Sequence, residues 1–179
     1  MENTAEIHSF ISKSLIKHMN TEKNRDQHFI ERAIELSKKG MDSGKGGPFG
    51  CIVVKGDAII GEGSNEVTSL TDPTAHAEVV AIRNAFEKLG TYQLTDCEIY
   101  TSCEPCPMCL GAIYWSRPKR VVYANTKEEA AAIDFDDDYI YKEIYAKMSE
   151  RNIPFIHYPH TKALEVFEAW KNWEGKVKY

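Results

Sequence analysis

The chain reads as an α/β domain. Short, partly β-branched runs of strand length lie at residues 49–54, 58–62, 98–102 and 120–125, with helically spaced apolar residues between and after them. Through the middle of the chain the two patterns alternate as strand, helix, strand, the order that builds parallel pairing. At 179 residues the length suits one such domain, and two would be crowded.

The first 24 residues are mostly polar, with Ile7, Phe10, Ile11 and Leu15 at helical spacing, and are expected to form an appended segment, helical or mobile. From Asp26 the spacing of Phe29, Ala33 and Leu36, with Ile30 and Ile34, predicts a first core helix that Gly40 and Gly44 end. Lys55-Gly56-Asp57 separates the first two strand runs and predicts a β-hairpin. Asp72-Pro73 has the form of a cap followed by a first-turn proline, so a helix is expected over 75–89 with His76 and Glu78 in its first turn. A third strand at 98–102, a helix at 107–115 and a fourth strand at 120–125 follow. Residues 126–132 read as a helix, 135–138 as an acidic loop, and 139–148 as another helix. Residues 155–157 are a candidate fifth strand, and Leu164, Phe167, Ala169 and Trp170 predict a last helix.

The chemistry concentrates in His76-Ala77-Glu78 and Pro105-Cys106-Pro107-Met108-Cys109. One imidazole and two thiolates are ligands zinc prefers, and three protein ligands leave a fourth tetrahedral position for water. Pro107 suits the first position of a helix, which makes Cys106 the cap and sets Cys109 one turn later on the same side. The helix dipole and the metal both favour the thiolate form there. A single C-x-x-C pair cannot complete the site, so His76 is expected to come from a second helix start facing the first. Glu78, two residues from His76, is placed to exchange protons with whatever the metal holds. The pairing of H-x-E with P-C-x-x-C is the pattern of zinc-dependent nucleobase deaminases.

Two other readings use the same residues. Cys103, Cys106 and Cys109 spell the opening of an iron–sulfur ligand run, but a nearby fourth cysteine is missing. Alternatively Cys103 joins His76, Cys106 and Cys109 in a closed structural zinc site, as in a binding module; Glu78 then has no role.

With 27 acidic and 22 basic side chains the formal charge is −5, opposite to what a polyanion-binding surface requires. The compact basic clusters, Lys38-Lys39 and Arg117-Pro118-Lys119-Arg120, read as solvated faces. A small-molecule substrate is expected rather than a nucleic acid. Five cysteines, three of them within seven residues, suit a metal better than a disulfide framework and point to a reducing cytoplasm. The apolar runs fall far short of the roughly twenty residues needed to span a bilayer, and a secretory leader pattern is lacking at the start.

Four segments carry a further likeness: Gly46-Gly47-Pro48-Phe49-Gly50, Asp72-Pro73-Thr74-Ala75-His76-Ala77-Glu78, residues 100–115 around Cys106 and Cys109, and Phe135-Asp136-Asp137. Together with Tyr139-Ile140-Tyr141 and the terminal Tyr179, they resemble the bacterial guanine deaminases of the cytidine deaminase-like superfamily. The zinc motifs alone are shared with tRNA adenosine, cytosine and riboflavin-pathway deaminases. The resemblance, over about residues 27–179, implies a three-layer α/β/α sandwich with a mixed five-stranded sheet, within a single deaminase domain at 25–179. It also implies a homodimer whose C-terminal segment, about 155–179, crosses to the partner.

By the same resemblance, His76, Cys106 and Cys109 hold one catalytic Zn2+ per subunit and Glu78 shuttles protons. Asn65 and the backbone N–H of Ala77 would hydrogen-bond a purine, Phe49 and Trp115 would pack on it, Asp137 would read its edge and help move protons, and Tyr179 would close the partner's site. The implied reaction is hydrolytic deamination of guanine to xanthine. Guanosine, an aminotriazine or cytosine, and more distantly a tRNA adenosine, are the alternative substrates. One departure stands out: Asp134 occupies a place where glycine is expected before Phe135.

Overall fold

The computed structural model describes residues 4–135 and 137–178, and among residues 4–20 the backbone only. Among the described residues four strands form one sheet: β1 (Gly50–Lys55), β2 (Ala58–Ser64), β3 (Cys97–Cys103) and β4 (Arg120–Asn125). Their order is β2-β1-β3-β4, with β1 antiparallel to both neighbours and β3 parallel to β4. The hairpin and the strand-helix-strand crossover expected from the sequence are the two connections that make this sheet mixed.

Helices cover both faces. On one side lies α1 (Thr4–Asp42), whose Phe29 packs with Ile52, Val54 and Tyr100. On the other lie α3 (Ala77–Leu89) and α4 (Pro107–Ser116), around Cys51, Val53, Ile99 and Ile113. Alternate residues of β1 thus serve opposite layers, as the period of two requires. The class is the three-layer α/β/α sandwich expected from the sequence.

A short helix α2 (Val67–Leu70), which the sequence pattern does not announce, links the hairpin to α3. After β4 come α5 (Lys127–Ala131), capped reciprocally by Thr126 and Glu129, then α6 (Asp138–Tyr145) and α7 (Thr161–Asn172).

Small residues decide how closely α3 lies on the sheet. A Cβ on Gly61 would meet the Ala81 carbonyl at 2.3 Å and one on Gly63 the Ala77 carbonyl at 2.4 Å. Neither position accepts a side chain unless the helix moves away, and the start of α3 carries His76 and Glu78.

Three expectations are corrected. The sheet has four strands among the described residues, not five: residues 155–157 form no ladder, and Phe155 and Ile156 are 55% and 86% exposed. An apolar run becomes a strand only where an edge receives it, and this segment does not return to the free edge of β4. The first core helix does not begin near Asp26, because α1 runs unbroken from Thr4; nor does it stop at Gly40, which lies within its last turn, while Gly44 with φ +70° turns the chain beyond it. Asp72-Pro73 does not start α3. Asp72 instead caps a turn, its Oδ1 accepting from the Thr74 N–H at 2.8 Å, and the helix cap is His76.

Candidate active site

Two helix N-termini converge. His76 caps α3 and Cys106 caps α4, both with extended backbone, and Pro107 occupies the first turn of α4 where its missing N–H costs nothing. Cys109, one turn later, is fully buried. The three side chains the motif singled out come together: Nδ1 of His76 lies 3.5 Å from the Cys106 sulfur and 3.6 Å from that of Cys109.

These separations fit a metal. Zinc bonded tetrahedrally at about 2.0–2.1 Å to nitrogen and about 2.3 Å to sulfur sets the two ligand atoms about 3.6 Å apart. Cys103 is not a fourth ligand; its sulfur lies against the Thr126 carbonyl at 3.7 Å, outside the group formed by the other three. The closed structural site and the iron–sulfur reading therefore both fail on geometry. Zinc is the cofactor these residues fit, and His76, Cys106 and Cys109 are the group that could hold it.

The electrostatics favour a cation. Contact with the Cys109 side chain, with help from His76, holds the Cys106 thiol down to about 4 despite burial. Cys109 itself is pushed up, by the Cys106 sulfur it bonds, by burial and by the Glu78 charge. The bond to Cys106 raises His76 above its ordinary value. Burial raises the Glu78 carboxyl, against hydrogen bonds from its own N–H, Cys109 and Thr101. A divalent ion is what allows this many anionic groups to share a dry site.

Glu78 is 6% exposed, and its two oxygens face different ways. Oε2 lies 3.3 Å from the Cys109 sulfur, on the metal side, whereas Oε1 accepts from the Thr101 hydroxyl at 3.0 Å. Thr101 is a residue the sequence reading missed. Its signal was a hydroxyl at an inward position of a strand whose neighbour on that face is Ile99.

The metal group opens into a cavity of about 500 Å3, within the size range of small-molecule sites. Phe49 lines it and meets Phe135 edge to face at 4.8 Å and 88°, so Phe135 is a second aromatic wall that the sequence reading left without a role. Asn65, 5% exposed, also lines it. Its Oδ1 accepts from the N–H groups of Gly47 and Val67 at 3.3 and 3.2 Å, which leaves the NH2 as the donor available to the cavity. Ala77 is fully buried at the first position of α3, where its N–H has no acceptor within the helix. Asp137 lines the cavity at the start of α6, beside Glu104 and Asp134.

Asp134 has φ +68°, which explains why a glycine was expected there. Aspartate is among the few residues that tolerate this conformation. Trp115 is not brought to the cavity. It is 65% exposed and six residues beyond Cys109, about 120° around the helix from the metal side. Tyr179 lies outside the described residues.

Known proteins match this arrangement. The model of the cytidine and deoxycytidylate deaminase zinc-binding region matches residues 23–125. The guanine deaminase of Bacillus subtilis is 56% identical over 151 residues, 84% of this chain and 97% of that protein. Its crystal structure superposes with a TM-score of 0.84, covering 86% of this chain and 98% of that one. A tRNA-specific adenosine deaminase of Aquifex aeolicus is 40% identical over 98 residues, 55% of this chain and 64% of that protein. With the His-Cys-Cys group, the adjacent buried glutamate and the sheet that carries them all accounted for, the chain belongs to the cytidine and deoxycytidylate deaminase zinc-binding family.

Proposed function

We propose that the protein is a zinc-dependent guanine deaminase, which converts guanine and water to xanthine and ammonia. The observation that carries this reading is the buried Glu78 carboxylate beside a three-ligand metal group that opens into a cavity of purine-accommodating size. The extent of the likeness to the Bacillus enzyme, 97% of its length, selects guanine over the tRNA substrate, for which the matching relative shares only 55% of this chain. The acidic balance of the chain points the same way, since an RNA-binding surface needs basic excess.

His76, Cys106 and Cys109 would hold zinc, which when bound would supply the Lewis acidity that makes water nucleophilic at neutral pH. Glu78 takes one proton of the attacking water to the ring nitrogen, and then carries the second, from the added hydroxyl, to the departing amine, so that water's two hydrogens end on the ring and on ammonia. Phe49 and Phe135 wall the base, while the NH2 of Asn65 and the N–H of Ala77 donate to its acceptors. Asp137 accepts from its N–H edge and assists proton movement. Release of ammonia from guanine by the purified, zinc-loaded protein tests the reading; absence of release would end it.

The protein acts as a homodimer in which residues from about 155 onward cover the partner's site, with Tyr179 closing the partner's cavity. Support comes from the exposure of Ile156, Leu164, Phe167 and Trp173, an apolar series too long for a monomer surface. Residues 25–179 constitute the deaminase domain and 1–24 an addition to it, in keeping with a family match that begins at residue 23. Five unpaired cysteines suit a reducing cytoplasm. Among the described residues no helix is long and apolar enough to cross a membrane.

A further inference from the structure

β3 presents Ile99 and Thr101 to the α3 side of the sheet, and Thr101 is 1% exposed. Its hydroxyl has one hydrogen and two oxygen acceptors within reach, Glu78 Oε1 at 3.0 Å and the Gly50 carbonyl at 3.4 Å, with the Cys51 side chain beside them. The shorter contact, to the more anionic oxygen, takes the hydrogen. The carboxylate therefore has a back oxygen tied to the sheet and a front oxygen, Oε2, 3.3 Å from the Cys109 sulfur.

We propose that Thr101 is a positioning residue for deamination: its hydroxyl fixes the plane of the Glu78 carboxylate and keeps Oε1 an acceptor, so that the shuttled proton rides on Oε2. The inference rests on the deaminase reading above. A glutamate has a broad terminal torsion, and without a donor behind it the carboxylate rotates away from the orientation in which Oε2 faces the metal group. Protonation on Oε1 would carry the proton to the sheet side, where neither the ring nor the leaving amine can receive it. The hydroxyl disfavours that outcome, because it could accept from Oε1 only by turning its own hydrogen to the longer contact with the Gly50 carbonyl. The remaining partner of the carboxylate, its own backbone N–H, belongs to the same residue and turns with the helix start, so Thr101 is the external tether.

The test compares Thr101→Val, Thr101→Ser and Thr101→Ala with the unaltered chain, measuring kcat and KM for guanine, zinc per chain and melting temperature. Val keeps the shape and removes the hydroxyl; Ser keeps the hydroxyl and removes the methyl. The expected result is a kcat lower by about 10- to 100-fold in Val and Ala, the range of one hydrogen bond to a charged group, with KM and zinc content little changed and Ser close to the unaltered chain. A Val variant with undiminished kcat would overturn the inference, as would Ser falling together with Ala. Should Val not fold, the Ser and Ala pair decides by the same criterion. A wild-type chain inactive on guanine would remove the deaminase reading itself, a result distinct from any pattern among the variants.

Discussion

Arg120 grips Asp26 through both terminal nitrogens, at 2.6 and 2.9 Å, and so ties β4 to α1. Glu98 accepts from Arg120 at 2.9 Å and from Arg25 at 2.8 Å, and the Tyr100 hydroxyl lies among all four charges. The network sits where the apolar packing of α1 around Phe29 gives way to solvent, and it places two carboxylates against two guanidinium groups. Asp26→Asn is expected to destabilise the domain by roughly 1.5–3 kcal/mol, because a charge-assisted pair is lost while Arg120 stays in place. Urea unfolding at pH 7 measures this, and an unchanged midpoint would show that the network contributes nothing.

The same network sets an acid dependence. The Arg120 bond holds the Asp26 carboxyl below its ordinary value. Burial raises Glu98, but hydrogen bonds from Arg25, Tyr100 and Arg120 outweigh it and the net shift is downward. Both groups bind protons less readily folded than unfolded, so their contribution is fully present above the unfolded value near pH 4 and is lost as the pH falls through the lower folded values. The stability of the unaltered chain should therefore decline more steeply than that of Asp26→Asn between about pH 5 and pH 3. Parallel curves in thermal melts across that range would contradict the assignment.

The metal site was legible in the sequence because its geometry is covalently local: Glu78 follows His76 by two positions, Cys109 follows Cys106 by three, and Pro107 marks the helix start. Two of the three strand pairings followed from the sequence, the hairpin from its loop chemistry and β3 with β4 from the intervening helix, whereas the antiparallel pairing of β1 with β3 did not. What the sequence left open depends on contacts between distant segments. Thr101 meets Glu78, and Phe135 meets Phe49, only because β3, α3 and the loop after α5 converge. The apolar run at 155–157 has strand composition but does not reach the free edge of β4, and Trp115 has the composition of a pocket wall but lies away from the described cavity.

Glu78→Gln should retain zinc and fold normally while losing about 100- to 10,000-fold in kcat, since the amide occupies the same space but cannot accept the proton. Metal analysis of the purified variant separates this outcome from loss of the ion. Retained activity would return the chain to the class of zinc-stabilised binding modules.

Asn65 offers a separation of structure from recognition. Its Oδ1 serves Gly47 and Val67, so Asn65→Ala removes an anchor for two loops along with the donor. Asn65→Asp keeps the acceptor and removes the NH2. We expect Asn65→Asp to melt near the unaltered chain while kcat/KM for guanine falls by about 10-fold or more, the value of a donor lost and replaced by negative charge. Equal losses of stability in both variants would mean that Asn65 is a loop anchor alone.

The C-terminal helix gives the last prediction. Along α7, Leu164 and Phe167 stand one turn apart and are 66% and 74% exposed, on a segment whose other apolar residues are exposed as well. Water does not favour leaving such a stripe uncovered, and within the described chain no element packs on it closely enough to bury either residue. A second copy provides the cover if the segment crosses. Replacing both residues with glutamate removes two apolar anchors, each worth roughly 1.5–3 kcal/mol when buried, and sets charge in their place. The dimer dissociation constant, read by sedimentation equilibrium, should rise by at least about 100-fold. An unaltered monomer–dimer equilibrium would show that α7 is not at the interface, while leaving the metal site and its chemistry untouched.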